Sequence, residues 1–139
     1  MDLRVQLLKD GKVLLDLPLE PEEWELERLD HELDSLDRNL TKIQEIHNVL
    51  SNETRFRMLC EMVRSSDSRF SELMEKVDAN QKVVTESLRR MMERSMVRRV
   101  ERHPREVHYL PSRIGFASFI TCLTMRRIIE ELDNNESNL

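Results

Sequence analysis

The chain has 139 residues, of which 39% are apolar and 35% charged; that is one domain with an appendage, with too many aliphatic side chains for a disordered chain. Only 2 glycines and 4 prolines are present, which excludes a many-stranded sheet with frequent tight turns and favours helices. The net charge of −5 argues against nucleic acid, yet residues 1–50 carry 6 basic and 13 acidic groups while residues 80–113 carry 9 basic and 4 acidic, a local +5 that can attract phosphates.

The first predicted element is a β-hairpin. LRVQLL (3–8) and VLLDL (13–17) flank Lys9-Asp10-Gly11-Lys12, and an Asp-Gly pair between apolar runs suits a turn with positive φ. A lone hairpin is marginal in water, so it must pack on something or pair with a copy of itself. Pro18 and Pro21 end it. Pro21, Glu22 and Glu23 make a helix start, and a long helix is predicted from there to about Leu50. Leu26, Leu29, Leu33, Leu36, Leu40, Ile43, His47 and Leu50 recur at alternating spacings of 3 and 4, an a/d heptad seam. Such a narrow seam needs a partner helix, from the same chain or from a second copy. Its regularity favours the second copy. His47 is the polar seam position, able to fix register or to titrate.

Past Ile43 the apolar stripe widens to Ile46 and Val49, where the helix is expected to join the core. Ser51 or Asn52 can cap the next helix, ETRFRMLCEMVR, whose predicted inner face is Phe56, Leu59, Cys60 and Val63. Residues 65–68 read as a loop. A short helix over 71–77 offers Leu73, Met74 and Val77, Asp78-Ala79 turns the chain, and Asn80 caps a helix over 81–95. That helix buries Val84, Leu88 and Met91, with Met92 at the margin. It presents Gln81, Lys82, Thr85, Glu86 and Arg89 outward. Strands over 96–100 and 106–110 follow, joined by a basic tip, Arg102-His103-Pro104-Arg105. A last helix from about Ser112 to Leu132 repeats apolar residues at Phe116, Phe119, Ile120, Leu123, Ile128, Ile129 and Leu132, and the tail after it is expected to fray.

No His, Cys or carboxylate spacing matches a metal site, no phosphate loop or nucleophile motif is present, and no cofactor is expected. Cys60 and Cys122 form no disulfide framework, so a reducing interior is expected. No apolar run approaches the roughly 20 residues of a membrane helix. The opening MDLRVQLLKDG lacks a signal-peptide core, and a cytoplasmic location is expected. The eight methionines fall mostly at helical core spacing. Charge runs on helices are usually solvated faces with i, i+4 pairs, and Glu86 with Arg90 or Arg89 with Glu93 fits that reading too.

LSNETRFRMLCEMV, then RFSELMEKVDANQKVVTESLRRMMERSMVRRV, then REVHYLPSRIG resembles the prokaryotic ArsR-type winged-helix regulators over about residues 47–115. The resemblance lies in the order of pieces: a leucine-small-polar-x-x-arginine opening, a helix-turn-helix, and a β-wing ending in tyrosine-leucine. MarR-like and PadR-like families share much of it, including Gly115 after the wing. The chain departs from the pattern at three places. RFSELM stands where metal-sensing members carry paired cysteines, the last helix has no His, and Ser95-Met96 replaces the Gly that commonly ends the recognition helix. The implied fold is mainly α with small β: a hairpin over 1–20, a long helix over 21–50, a winged helix-turn-helix over 51–111 and a C-terminal helix and tail over 112–139. The implied function, without the metal-sensing role, is a homodimeric transcriptional regulator that binds double-stranded DNA.

On that mapping Gln81, Lys82, Thr85, Glu86 and Arg89 face the bases. Arg102 and Arg105 on the wing lie on phosphates or in the minor groove, and Arg90, Arg98 and Arg99 are further phosphate candidates. The dimer runs through Leu26, Leu29, Leu33, Leu36, Leu40 and Ile43, through Phe119 and Leu123 of the last helix, or through both. The competing reading is a winged-helix adaptor that binds a basic partner protein with its acidic N-terminal helix.

Overall fold

The structure, a computed structural model, describes residues 2–102 and 105–137. The chain divides into two compact units, Met1–Thr41 and Lys42–Leu139.

In the first unit β1 (Arg4–Lys9) pairs antiparallel with β2 (Lys12–Pro18). Asp10 and Gly11 both have positive φ, 51° and 80°, the turn geometry that matches strand twist. The Arg4 guanidinium donates to Asp16 at 2.8 Å and to Glu23 at 3.1 Å. The Trp24 indole N–H donates to the Pro18 carbonyl at 2.8 Å, and the Arg28 guanidinium lies 5.1 Å from the Trp24 ring centroid. These links pin the hairpin to the segment that follows it.

The uninterrupted helix expected from Pro21 to Leu50 is not formed. Pro21–Glu23 is a 3-10 turn, Trp24 is extended, and α1 begins only at Leu26 and ends at Leu36. Trp24, held on Pro18, keeps the chain out of helical φ/ψ there. A second 3-10 turn, Asp37–Asn39, precedes α2 (Leu40–Leu50). Asp and Asn favour local hydrogen bonds over helix propagation, and the Ser35 hydroxyl already donates back to the Glu32 carbonyl. Leu36, Asp37 and Leu40 all keep right-handed helical dihedrals. Leu26, Leu29, Leu33 and Leu36 are exposed, Leu26 at 74%, whereas Leu40 and Ile43 are half-buried.

The second unit contains α3 (Glu53–Ser65), β3 (Ser68–Arg69), α4 (Phe70–Val77), α5 (Gln81–Glu93), β4 (Val97–Arg102), β5 (Glu106–Pro111) and α6 (Arg113–Ser137). The sheet order is β3-β5-β4, all antiparallel. β3, which the sequence reads as loop, pairs Ser68 with Tyr109 and Arg69 with His108; two residues are too few to show a strand period. α3 sits centrally, with α4, α5, α6 and β5 packed on it. The core is Val49, Met58, Leu59, Met62, Leu73, Val84, Leu88, Met91, Met96 and Val97. The α3 face is rotated from the expected one: Met58, Leu59 and Met62 are buried, and Phe56, Cys60 and Val63 are only half-buried. A helix packed from several sides has no single stripe, so counting from Phe56 picks a flank. α6 runs to Ser137, past the expected end near Leu132, supported by the i, i+4 pairs Arg126–Glu130 and Arg127–Glu131 at 2.9 Å.

Ser95 has φ 60° and closes α5. Its N–H donates to the Met92 carbonyl, and the Met96 N–H donates to the Met91 carbonyl, the paired bonds of a Schellman cap. The Met96 carbonyl in turn accepts the Ser112 N–H at 3.0 Å. A Cβ on Gly115 would stand 2.0 Å from that same carbonyl oxygen, which is why a glycine follows the wing.

Candidate nucleic-acid interface

α5 is fixed at both ends. The Asn80 side chain accepts the Val83 N–H at 2.9 Å, the expected N-cap, and the Schellman cap closes the other end. Asp78, at φ 50°, turns the chain between α4 and α5, with the Ala79 N–H donating to the Met74 carbonyl; Asp tolerates the left-handed region better than most residues. Val84, Leu88 and Met91 are buried and Met92 half-buried, as the spacing predicts. That leaves Gln81, Lys82, Thr85, Glu86, Arg89 and Arg90 exposed on the outer face. Val83 is exposed with them and was not singled out by sequence reasoning. An apolar residue beside a polar face belongs to the same helical period, and that is the signal that could have found it.

The i, i+4 alternatives separate. Arg89 is paired with Glu93 at 2.9 Å. Arg90 reaches Asn48 Oδ1 at 3.0 Å instead of Glu86. Arg55, a residue the sequence reading used only as part of the family opening, donates to the Val49 and Asn48 carbonyls at 3.0 and 3.1 Å. It clamps the end of α2 and lines a cleft with Arg89, Arg90 and Glu86. Arg94 pairs with Glu45 of α2 at 3.7 Å.

On the wing, Arg98 and Arg99 are exposed on β4, with Arg99 on Glu101 at 3.2 Å. Arg102 is held by Asp67 at 2.9 Å. Arg105 is exposed at φ 64°; His103 and Pro104 of the tip lie outside the described residues. His108 sits at the wing base, 3.4 Å from Asp67 and 3.2 Å from Glu106. His47 is exposed and bonded through Nδ1 to the Ile43 carbonyl one turn earlier in its own helix, at 2.9 Å. Phe119 packs against the core of its own chain, while Leu123, Phe116, Ile120 and Ile129 are exposed along α6. Among the described residues no group of three or more His, Cys, Asp or Glu could hold a metal ion. Burial pushes the Cys60 and Cys122 thiols above the ordinary cysteine value, the reverse of an activated thiolate.

A helix-turn-helix of α4 and α5 thus stands on α3, backed by the hairpin of β4 and β5, with a cationic outer face on both. This is the winged-helix fold of the ArsR- and MarR-type proteins. A MarR-family protein from Enterococcus faecalis, a putative transcriptional regulator, superposes with a TM-score of 0.60 at 22% identity, covering 72% of this chain and 93% of that one. The transcriptional repressor BigR from Xylella fastidiosa matches with a TM-score of 0.56 at 16% identity, over 66% and 92%. Reduced HlyU from Vibrio cholerae matches with a TM-score of 0.56 at 19% identity, over 64% and 92%. No family model matches the chain, and no curated protein sequence does. Among the described residues no helix is long and apolar enough to cross a membrane.

Proposed function

We propose that the chain is a sequence-specific DNA-binding transcriptional regulator acting as a homodimer. The observation that carries this reading is the outer face of α5: Gln81, Lys82, Thr85, Glu86 and Arg89 lie exposed on a helix capped at both ends and packed through its opposite face. Rigid placement is what major-groove readout requires, and these side chains supply donors for guanine and adenine, an acceptor for cytosine and a methyl for thymine. Arg98, Arg99, Arg102 and Arg105 add a cationic wing for backbone or minor groove. The likeness in fold to the transcriptional repressor BigR and to a transcriptional regulator of the MarR family supports the reading. A dimer through the exposed leucines of α1, the exposed face of α6, or both would set half-sites one helical turn or a multiple of it apart.

The test is selection of duplexes from a random pool by the purified protein at stated salt, with its mass in solution. Arg89→Ala is expected to lower affinity and relax preference at one base position. Arg105→Ala is expected to weaken all sequences alike and to reduce the salt slope by about 1. Parent-like binding by both variants refutes this assignment of faces.

One observation favours a second reading, an adaptor. The leucine seam of α1 is exposed on a unit crowded with acidic groups, a surface suited to a basic partner protein. Absence of retention on heparin or random DNA at low salt would support it over DNA binding.

A further inference from the structure

The start of α3 and the outer face of α5 enclose a cleft of about 200 Å³. Two guanidinium groups line it side by side. Arg55 is fixed by the Val49 and Asn48 carbonyls and Arg90 by the Asn48 side chain. One residue, Asn48, therefore holds both cations, and it does so with neutral acceptors. Neither arginine has a carboxylate ion pair among the described residues. Partial burial first, and the charge of Arg90 second, push the Arg55 pKa below the ordinary arginine value. The third arginine of the cleft, Arg89, is already neutralised by Glu93. Glu86 is the one carboxylate in the lining, so Arg55, Arg90 and Glu86 leave one positive charge uncompensated. These bonds use two N–H groups of Arg55 and one of Arg90, out of five on each guanidinium. Asn52, the N-cap of α3, and Thr54 in its first turn form the adjoining wall, near a helix N-terminus, which favours an anion.

We propose that this cleft seats one phosphodiester of the DNA backbone, held by Arg55 and Arg90. The proposal rests on the DNA-binding reading and deepens it. A phosphate here is contacted from α3 and α5 together, so it fixes the depth and register of the recognition helix and reads no base. Arg55 and Arg90 are its donors; Asn48 is a positioning residue.

The experiment uses the full chain and a duplex it has selected. Single phosphodiesters are replaced in turn by neutral methylphosphonates. One position per half-site is expected at which neutralisation lowers parent affinity about tenfold, the scale of a charge-assisted hydrogen bond. At that position the Arg90→Gln variant is expected to show no further loss, and its salt slope is expected to fall by about 1 at unchanged base preference. Arg55→Lys, which keeps the charge and loses the forked geometry, is expected to keep the slope and lose affinity at the same phosphate. Losses that add at every phosphate, or a parent-like slope in Arg90→Gln, overturn the seat while leaving the DNA reading intact. A parent that selects no duplex overturns both.

Discussion

Ser95 and Gly115 carry backbone demands of opposite kind. Ser95 holds φ 60° to complete the cap of α5, a conformation that costs a residue with a Cβ. Ser95→Gly is expected to raise unfolding free energy by about 1 kcal/mol, read from the denaturant midpoint at unchanged slope; a destabilised variant would show that the serine is favoured there. Gly115 stands where any Cβ strikes the Met96 carbonyl, and backbone cannot move aside as a flexible side chain can. Gly115→Ala is therefore expected to cost about 1–3 kcal/mol, with equal stability the result that would refute the contact. The missing glycine after α5 and the glycine after the wing were both visible in the sequence. What Gly115 touches was not, because its neighbour lies nineteen positions away. Arg55 escaped as a cleft residue for the same reason: its partners are on α2, and its cationic neighbour Arg90 is on α5.

At the scale of elements, α5 was legible because one face is buried and the other free, so a 3.6-residue period maps onto chemistry. α3 was not, being packed from several sides. The break between α1 and α2 was hidden because the heptad seam runs through it unchanged: apolar spacing reports which face matters and says little of local pitch. The start of α4 yields a pH prediction. Glu72 accepts the Arg69 N–H at 3.0 Å and the Arg69 guanidinium at 3.1 Å, and the backbone bond, followed by the side-chain bond, holds its carboxyl below the ordinary 4.5. A depressed folded pKa contributes stability that is fully present above the unfolded value and lost as pH falls through the folded one. The parent is thus expected to exceed Glu72→Gln in thermal midpoint at neutral pH, and the gap is expected to close as pH falls below the ordinary glutamate value. A gap that persists in acid would mean that the carboxylate charge is not what holds the turn.

For the whole molecule, charge separates along the chain. The acidic residues crowd the segment from Glu20 to Asp37, and the cationic surplus gathers on α5 and the wing, so a net charge of −5 conceals a surface suited to phosphate. The proposed homodimer belongs to this scale. Leu29 and Leu33 are exposed and carry none of the core, so the double substitution Leu29→Asp, Leu33→Asp is expected to leave the fold intact by circular dichroism. It is expected to halve the mass measured in solution if the α1 seam is the interface; an unchanged dimer would move the interface to α6.

Met96 ends the recognition helix through its N–H and starts α6 through its carbonyl, all within one peptide neighbourhood. One residue thus joins the end of α5 to the start of α6.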